Sequence, residues 1–182
     1  MYLKSKDVAA VATCSALWAA LNITINPIFF QITRMPFLCD LVGFMLLSLV
    51  VWWTRKPGAA SLTGLLVAAL TLIVRPGAFH MLGFVAASTI FDLSTMRVGY
   101  NRIFGSYRKY SILVVISIAC AWVAGLIIGS FFMNFKTLYA ILFFSGLHAL
   151  GGLIGGAVGT VLIQALSIRK VQTIFAEASI GS

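Results

Sequence analysis

The chain is 182 residues long, 61% hydrophobic and only 9% charged, with a mean hydropathy of +1.05. A soluble domain is about a quarter charged, so this chain lacks the polar surface to coat a water-facing globule and reads as a polytopic membrane protein. Thirteen Lys and Arg against four acids give a net charge of +9, but the basic residues sit between apolar runs, where they set membrane topology rather than bind nucleic acid.

A helix of about 18 to 20 residues crosses the roughly 30 Å hydrocarbon core. The apolar runs divide into six such segments, near residues 8–25, 37–53, 59–74, 79–93, 111–133 and 138–168. The predicted fold is therefore an all-α integral membrane protein, one domain over residues 1–182 with six transmembrane helices. The first segment has the length of a full span and, with Met1 present, is expected to be retained rather than cleaved as a signal peptide. The third and fourth are short and joined by Pro76-Gly77, a tight reversal that favours tilted or broken helices. The sixth exceeds one crossing and is expected to begin or end outside the hydrocarbon.

Alternate connections differ sharply in charge. Lys4, Lys6, Arg55, Lys56, Arg97, Arg102, Arg108, Lys109, Arg169 and Lys170 fall on one side, and Arg34, Arg75 and Lys136 on the other. The positive-inside rule then places both termini in the cytoplasm of a multi-pass cell-membrane protein. In the loop after the fourth segment, Tyr100, Phe104 and Tyr107 follow at i, i+4 and i+7 among Arg97, Arg102, Arg108 and Lys109. That pattern fits an interfacial amphipathic turn and equally an aromatic belt with topology charges.

Small residues repeat every four positions in four segments: Ala12, Ala16 and Ala20; Ala60, Gly64 and Ala68; Ala121, Gly125 and Gly129; and Gly151, Gly155 and Gly159 beside Gly152 and Gly156. Such ridges let membrane helices approach closely. Those of the fifth and sixth segments are expected to pack the protein's own bundle. The alanine ridge of the first is equally suited to docking another subunit.

Polar residues inside a membrane are costly and therefore candidates for function. On the predicted topology they gather toward the outer half: Asn22, Asn26, Arg34, Asp40, Arg75, His80, Asn134, Lys136, Tyr139 and His148, interleaved with phenylalanines. A cationic rim over aromatic walls suits an outward-facing pocket for a small polar molecule. Taken singly, Arg34, Arg75 and Lys136 also fit snorkelling to lipid headgroups. Asp40 is expected to pair with Arg34 or Arg75, His148 stands in a Gly-rich helix with little else polar nearby, and Asp92 is expected to pair with Arg97. The three cysteines Cys14, Cys39 and Cys120 read as small apolar packing residues. No GxSxG, HExxH, phosphate loop or acid-rich metal cluster occurs, so no catalytic residue, cofactor or metal is predicted, and the chain is not expected to be an enzyme.

The segment Arg55-Lys56-Pro57-Gly58-Ala59-Ala60, the small-residue run Ser61 to Val74 with its Gly-containing turn, and the glycines from Ser145-Gly146 through Gly151-Gly152 to Gly155-Gly156 resemble the substrate-binding components of energy-coupling factor vitamin transporters, more narrowly the YkoE type associated with hydroxymethylpyrimidine or thiamine. The resemblance implies a non-catalytic subunit that takes a vitamin or precursor from the outer side and topples in the membrane. It also implies that Ala12, Ala16 and Ala20 dock a transmembrane coupling subunit driven by two ATPase subunits. The YkoE pattern has acids along the third span, where this chain has Thr63, Gly64 and Thr71; its Arg and Lys rim suits a neutral heterocycle or an anion better than a cation. The competing expectation is a non-catalytic structural subunit of a larger membrane complex, binding only lipid and protein.

Overall fold

The computed structural model describes residues 3–33, 35–106, 109–169 and 171. Every regular element among them is helical: α1 Ser5–Thr33, α2 Phe37–Thr54, α3 Ala59–Val74, α4 Met81–Val98, the short α5 Tyr100–Phe104, α6 Tyr110–Ile127 and α7 Leu138–Ile168. A single π turn, Ile128–Phe132, continues α6. Five helices, α6 being counted with its π turn, are long and apolar enough to cross a membrane. With 16 residues, α3 is about 24 Å long, shorter than those five.

The boundaries have local causes. Asp7 reaches back to the Lys4 backbone N–H at 2.7 Å, half of a capping box, which starts α1. The helix does not stop near residue 25 as the sequence predicts; it continues through Pro27 to Thr33. Arg55 takes the left-handed conformation (φ 47°) and ends α2, its N–H donating to Val51 O. Gly58, with φ 91°, then starts α3 where only glycine is unstrained. The fourth helix lies a little later than predicted, because the turn at Pro76-Gly77 extends through Phe79 and His80. At the far end of α6, Asn134 turns at φ 50°, and Thr137 caps α7 by accepting the Ala140 N–H at 3.3 Å.

Successive long helices reverse, so the α1–α2, α3–α4 and α6–α7 connections share one end of the bundle, called the upper end here. The Lys4 region, the α2–α3 turn, α5 and the end of α7 share the lower end. α7 packs most extensively on α6 and α2, and its glycines explain how. A Cβ at Gly151 or Gly155 would run into the α2 backbone at Phe37 or Leu41, and one at Gly152 or Gly156 into α6 at Ser117. Two glycine ridges on one helix thus receive two neighbours at backbone distance. The ridges on α3 and α6 are likewise buried, whereas Ala12, Ala16 and Ala20 are all exposed on the outer face of α1.

The apolar core runs between the helices around Trp18, Phe44, Phe84 and Phe91, with Trp18 edge-on to Phe84 at 6.0 Å. Polar contacts close the lower end. Lys56 Nζ donates to Asp7 Oδ2 at 2.5 Å. Asp92 corrects its predicted pairing: its carboxylate accepts not from Arg97 but from the Ser61 backbone N–H at 2.9 Å and hydroxyl at 2.8 Å. It sits against the first turn of α3, where the helix dipole and free N–H groups favour an anion.

Candidate polar cavity at the upper end

A cavity of about 510 Å³ opens at the upper end between α1, α2, the α3–α4 turn, α4, the π turn and α7. That volume falls within the range of small-molecule pockets. Its polar lining comes from Asn22 and Asn26 of α1, Cys39 of α2, Arg75 and His80 beside the α3–α4 turn, and His148 of α7. Phe29, Phe30, Phe84 and Phe144 supply aromatic walls.

Asn22 is the hub of the α1 side. Its Nδ2 donates to Thr71 Oγ1 at 3.5 Å and approaches Met81 Sδ at 3.1 Å, while its Oδ1 accepts from Asn26 Nδ2 at 2.6 Å and from the Cys39 thiol at 3.3 Å. One turn of helix separates Asn22 from Asn26, so the two amides face the same way. The Asn26 Oδ1 atom is buried without a directed hydrogen bond among the described residues.

On the opposite wall, His148 is 2% exposed and Asp40 is 0% exposed. His148 Nδ1 lies 2.7 Å from Asp40 Oδ2, an ion-pair approach that is not aligned as a directed hydrogen bond. This corrects Arg75 as the predicted partner of Asp40. Arg75 is exposed at the cavity mouth, and Arg34 lies outside the described residues. It also corrects the picture of His148 as isolated, because Gly151 and Gly155 bring α2 so close to α7 that the carboxylate reaches the imidazole. The ring is held by Phe144 at 4.6 Å and Phe84 at 6.1 Å, and its Nε2 has no hydrogen-bond partner among the described residues.

At the mouth, burial, the Arg75 charge and His148 together lower the His80 pKa below its ordinary value, so His80 is neutral at pH 7. The cavity thus combines neutral amides and imidazole with one cationic rim group, a set suited to orienting a small planar molecule between aromatic faces.

Of the candidate residues, the structure brings Asn22, Asn26, Arg75, His80 and His148 to one cavity, with Asp40 directly behind His148. Asn134, Lys136 and Tyr139 are corrected: all three are exposed and none lines it. The π turn and the Asn134 reversal carry them past the rim, and Tyr139 stacks on Phe143 at 6.3 Å instead. Sequence reasoning missed Cys39 as a lining group. Its signal was adjacency to Asp40. It also missed Phe84 and Phe144; for Phe144 the i, i+4 spacing to His148 was legible.

A smaller hollow of about 250 Å³ lies at the lower end, lined by Trp52, Arg55, Phe104 and Tyr110 among others, with Arg55 5.4 Å above the Phe104 ring. Nearby, burial and Asp92 raise the Tyr100 hydroxyl to about 12. Of the predicted loop pattern, Tyr100 and Phe104 lie on α5; Tyr107 and Arg108 lie outside the described residues. Comparison with known protein families, curated proteins and solved structures finds no match to this chain.

Proposed function

We infer that the chain is the substrate-binding membrane subunit of an energy-coupling-factor-type transporter. On this reading it crosses the cell membrane six times with both termini cytoplasmic. It captures a vitamin or vitamin precursor, of the thiamine or hydroxymethylpyrimidine kind, from the outer side. Release depends on a transmembrane coupling subunit and ATPase subunits, and the chain performs no chemistry of its own.

The observation that carries this reading is the position of the cavity. It opens at the end whose described connections bear only Arg75 and Lys136, opposite the end bearing Lys4, Lys6, Arg55, Lys56, Arg97, Arg102, Lys109 and Arg169. By the positive-inside rule the cavity then faces outward. The exposed Ala12, Ala16 and Ala20 face supports the docking half of the reading, since it is the one small-residue ridge left unused by the bundle.

The test is thermal unfolding of the purified protein in mild detergent with thiamine, hydroxymethylpyrimidine, other B vitamins and simple anions. A ligand at about 100 times its Kd adds roughly 2.7 kcal/mol by mass action, a readily measured rise in Tm. A selective rise supports the binding subunit. A folded sample with no rise favours the structural subunit, for which the same alanine face is the contact surface.

A further inference from the structure

The protonation of the Asp40 and His148 couple can be worked out from charge balance. Asp40 is 0% exposed, and neither carboxylate oxygen has a directed hydrogen bond from the described residues. The group facing it is His148, with Nδ1 at 2.7 Å. The other charged or titratable groups lining the cavity are His80, neutral at pH 7, and Arg75, exposed at the mouth where water screens it, with the Cys39 thiol next to Asp40 in sequence. Three arrangements are then available. A carboxylate facing an imidazolium leaves both ring nitrogens protonated. A carboxylic acid donating to Nδ1 leaves the imidazole proton on Nε2. A carboxylate facing a neutral imidazole protonated at Nδ1 leaves Nε2 bare, but it also leaves an unbalanced negative charge out of reach of water. A buried carboxylate tolerates that state when other donors satisfy it; none of the described residues does so for Asp40, and burial therefore penalises it. Both balanced states place hydrogen on Nε2.

We propose that His148 presents an Nε2–H donor to the cavity, held by Asp40, and that the ligand is a planar heteroaromatic molecule, neutral or singly anionic, offering it a ring-nitrogen or carboxylate acceptor. The Nε2 atom has no hydrogen-bond partner among the described residues although His148 is 2% exposed and lines the cavity. Phe84 and Phe144, both packed near the imidazole and both lining the cavity, favour a flat ring. With Asp40 and His148 balanced against each other, Arg75 is the one uncompensated charge of the lining among the described residues, which disfavours a cation. The ligand class rests on the reading of the chain as a vitamin-binding subunit; the donor does not. Asp40 is a positioning residue, and His148 is the group that touches the ligand.

The donor is tested by ¹⁵N NMR of the full chain in detergent with labelled histidine. The chain has two histidines, and His80→Gln leaves only His148. Protonated and bare imidazole nitrogens resonate far apart, so the expected result at pH 7 is a protonated Nε2; a bare Nε2 beside a protonated Nδ1 overturns the proposal. The ligand class is tested with hydroxymethylpyrimidine, nicotinate, thiamine and benzyl alcohol as probes. Hydroxymethylpyrimidine or nicotinate is expected to bind at least tenfold more tightly than the other two and to move the His148 Nε2 resonance. Thiamine or benzyl alcohol binding best overturns the ligand class while leaving vitamin capture standing, and no binding by any probe overturns both. With the preferred probe, His148→Gln, which keeps an N–H donor, is expected to retain more affinity than His148→Leu; equal loss in two folded variants overturns the donor role.

Discussion

Lys56 Nζ lies 2.5 Å from Asp7 Oδ2, so the first turn of α1 is tied to the turn that joins α2 and α3. Asp7 is 0% exposed, and a buried carboxylate deprived of its cation is expensive. Lys56→Met is expected to cost about 3–5 kcal/mol, whereas the double variant with Asp7→Asn costs clearly less. Denaturant unfolding of the three proteins in detergent checks this, and equal losses would show that the pair does not act as a unit.

The glycine ridges of α7 make a graded prediction. A Cβ at Gly155 would come within 2.5 Å of Leu41 O, while one at Gly146 meets nothing within 4 Å. Gly155→Ala should therefore destabilise by about 1–3 kcal/mol through overpacking. Gly146→Ala should be neutral or stabilising by up to about 1 kcal/mol, since alanine favours the helix. Melting temperatures of the two variants decide the matter.

The alanine face of α1 separates folding from docking. Ala16 is exposed, so Ala16→Leu is expected to change stability by no more than about 0.5 kcal/mol. On the transporter reading it abolishes uptake in cells and leaves ligand affinity intact. Loss of folding would place that face inside an obligate assembly.

Arg75 and Lys136 were alike as outer cations in the sequence, but only Arg75 lines the cavity. Arg75→Ala is expected to weaken binding of an anionic probe by roughly tenfold, about 1.4 kcal/mol. Lys136→Ala should have no effect. Equal effects would point to general attraction by the rim rather than a contact.

His80 predicts a pH dependence. Its folded pKa is depressed below the ordinary 6.5 by burial, Arg75 and His148. A depressed histidine favours the folded state when neutral, so its contribution is fully present above about pH 6.5 and is lost as pH falls through the folded value. Melting temperature should drop below that pH in the wild type and drop less in His80→Gln.

Helix positions were largely legible because apolar runs and their punctuation report them directly. The predicted 59–74 and 138–168 coincide with α3 and α7. The first helix was underestimated because Asn22, Asn26 and Pro27 look like an ending, although a helix with a packed face tolerates all three. The cavity's α1 side was legible from the Asn22 and Asn26 spacing. The partnership of Asp40 with His148 was not, since it depends on how closely α2 and α7 approach across more than a hundred residues of chain. The glycines of α7 carried that information as a permission for contact without naming the partner.

Those glycines also divide the cavity mechanically. Where helices meet backbone to backbone there is no side-chain layer to rearrange, so the wall bearing Asp40 and His148 behaves as a fixed anvil. The facing wall, on α1 beyond Pro27, is built from Phe29 and the exposed Phe30. On the binding-subunit reading, selectivity is then expected to reside in the fixed wall and entry and exit in the yielding one.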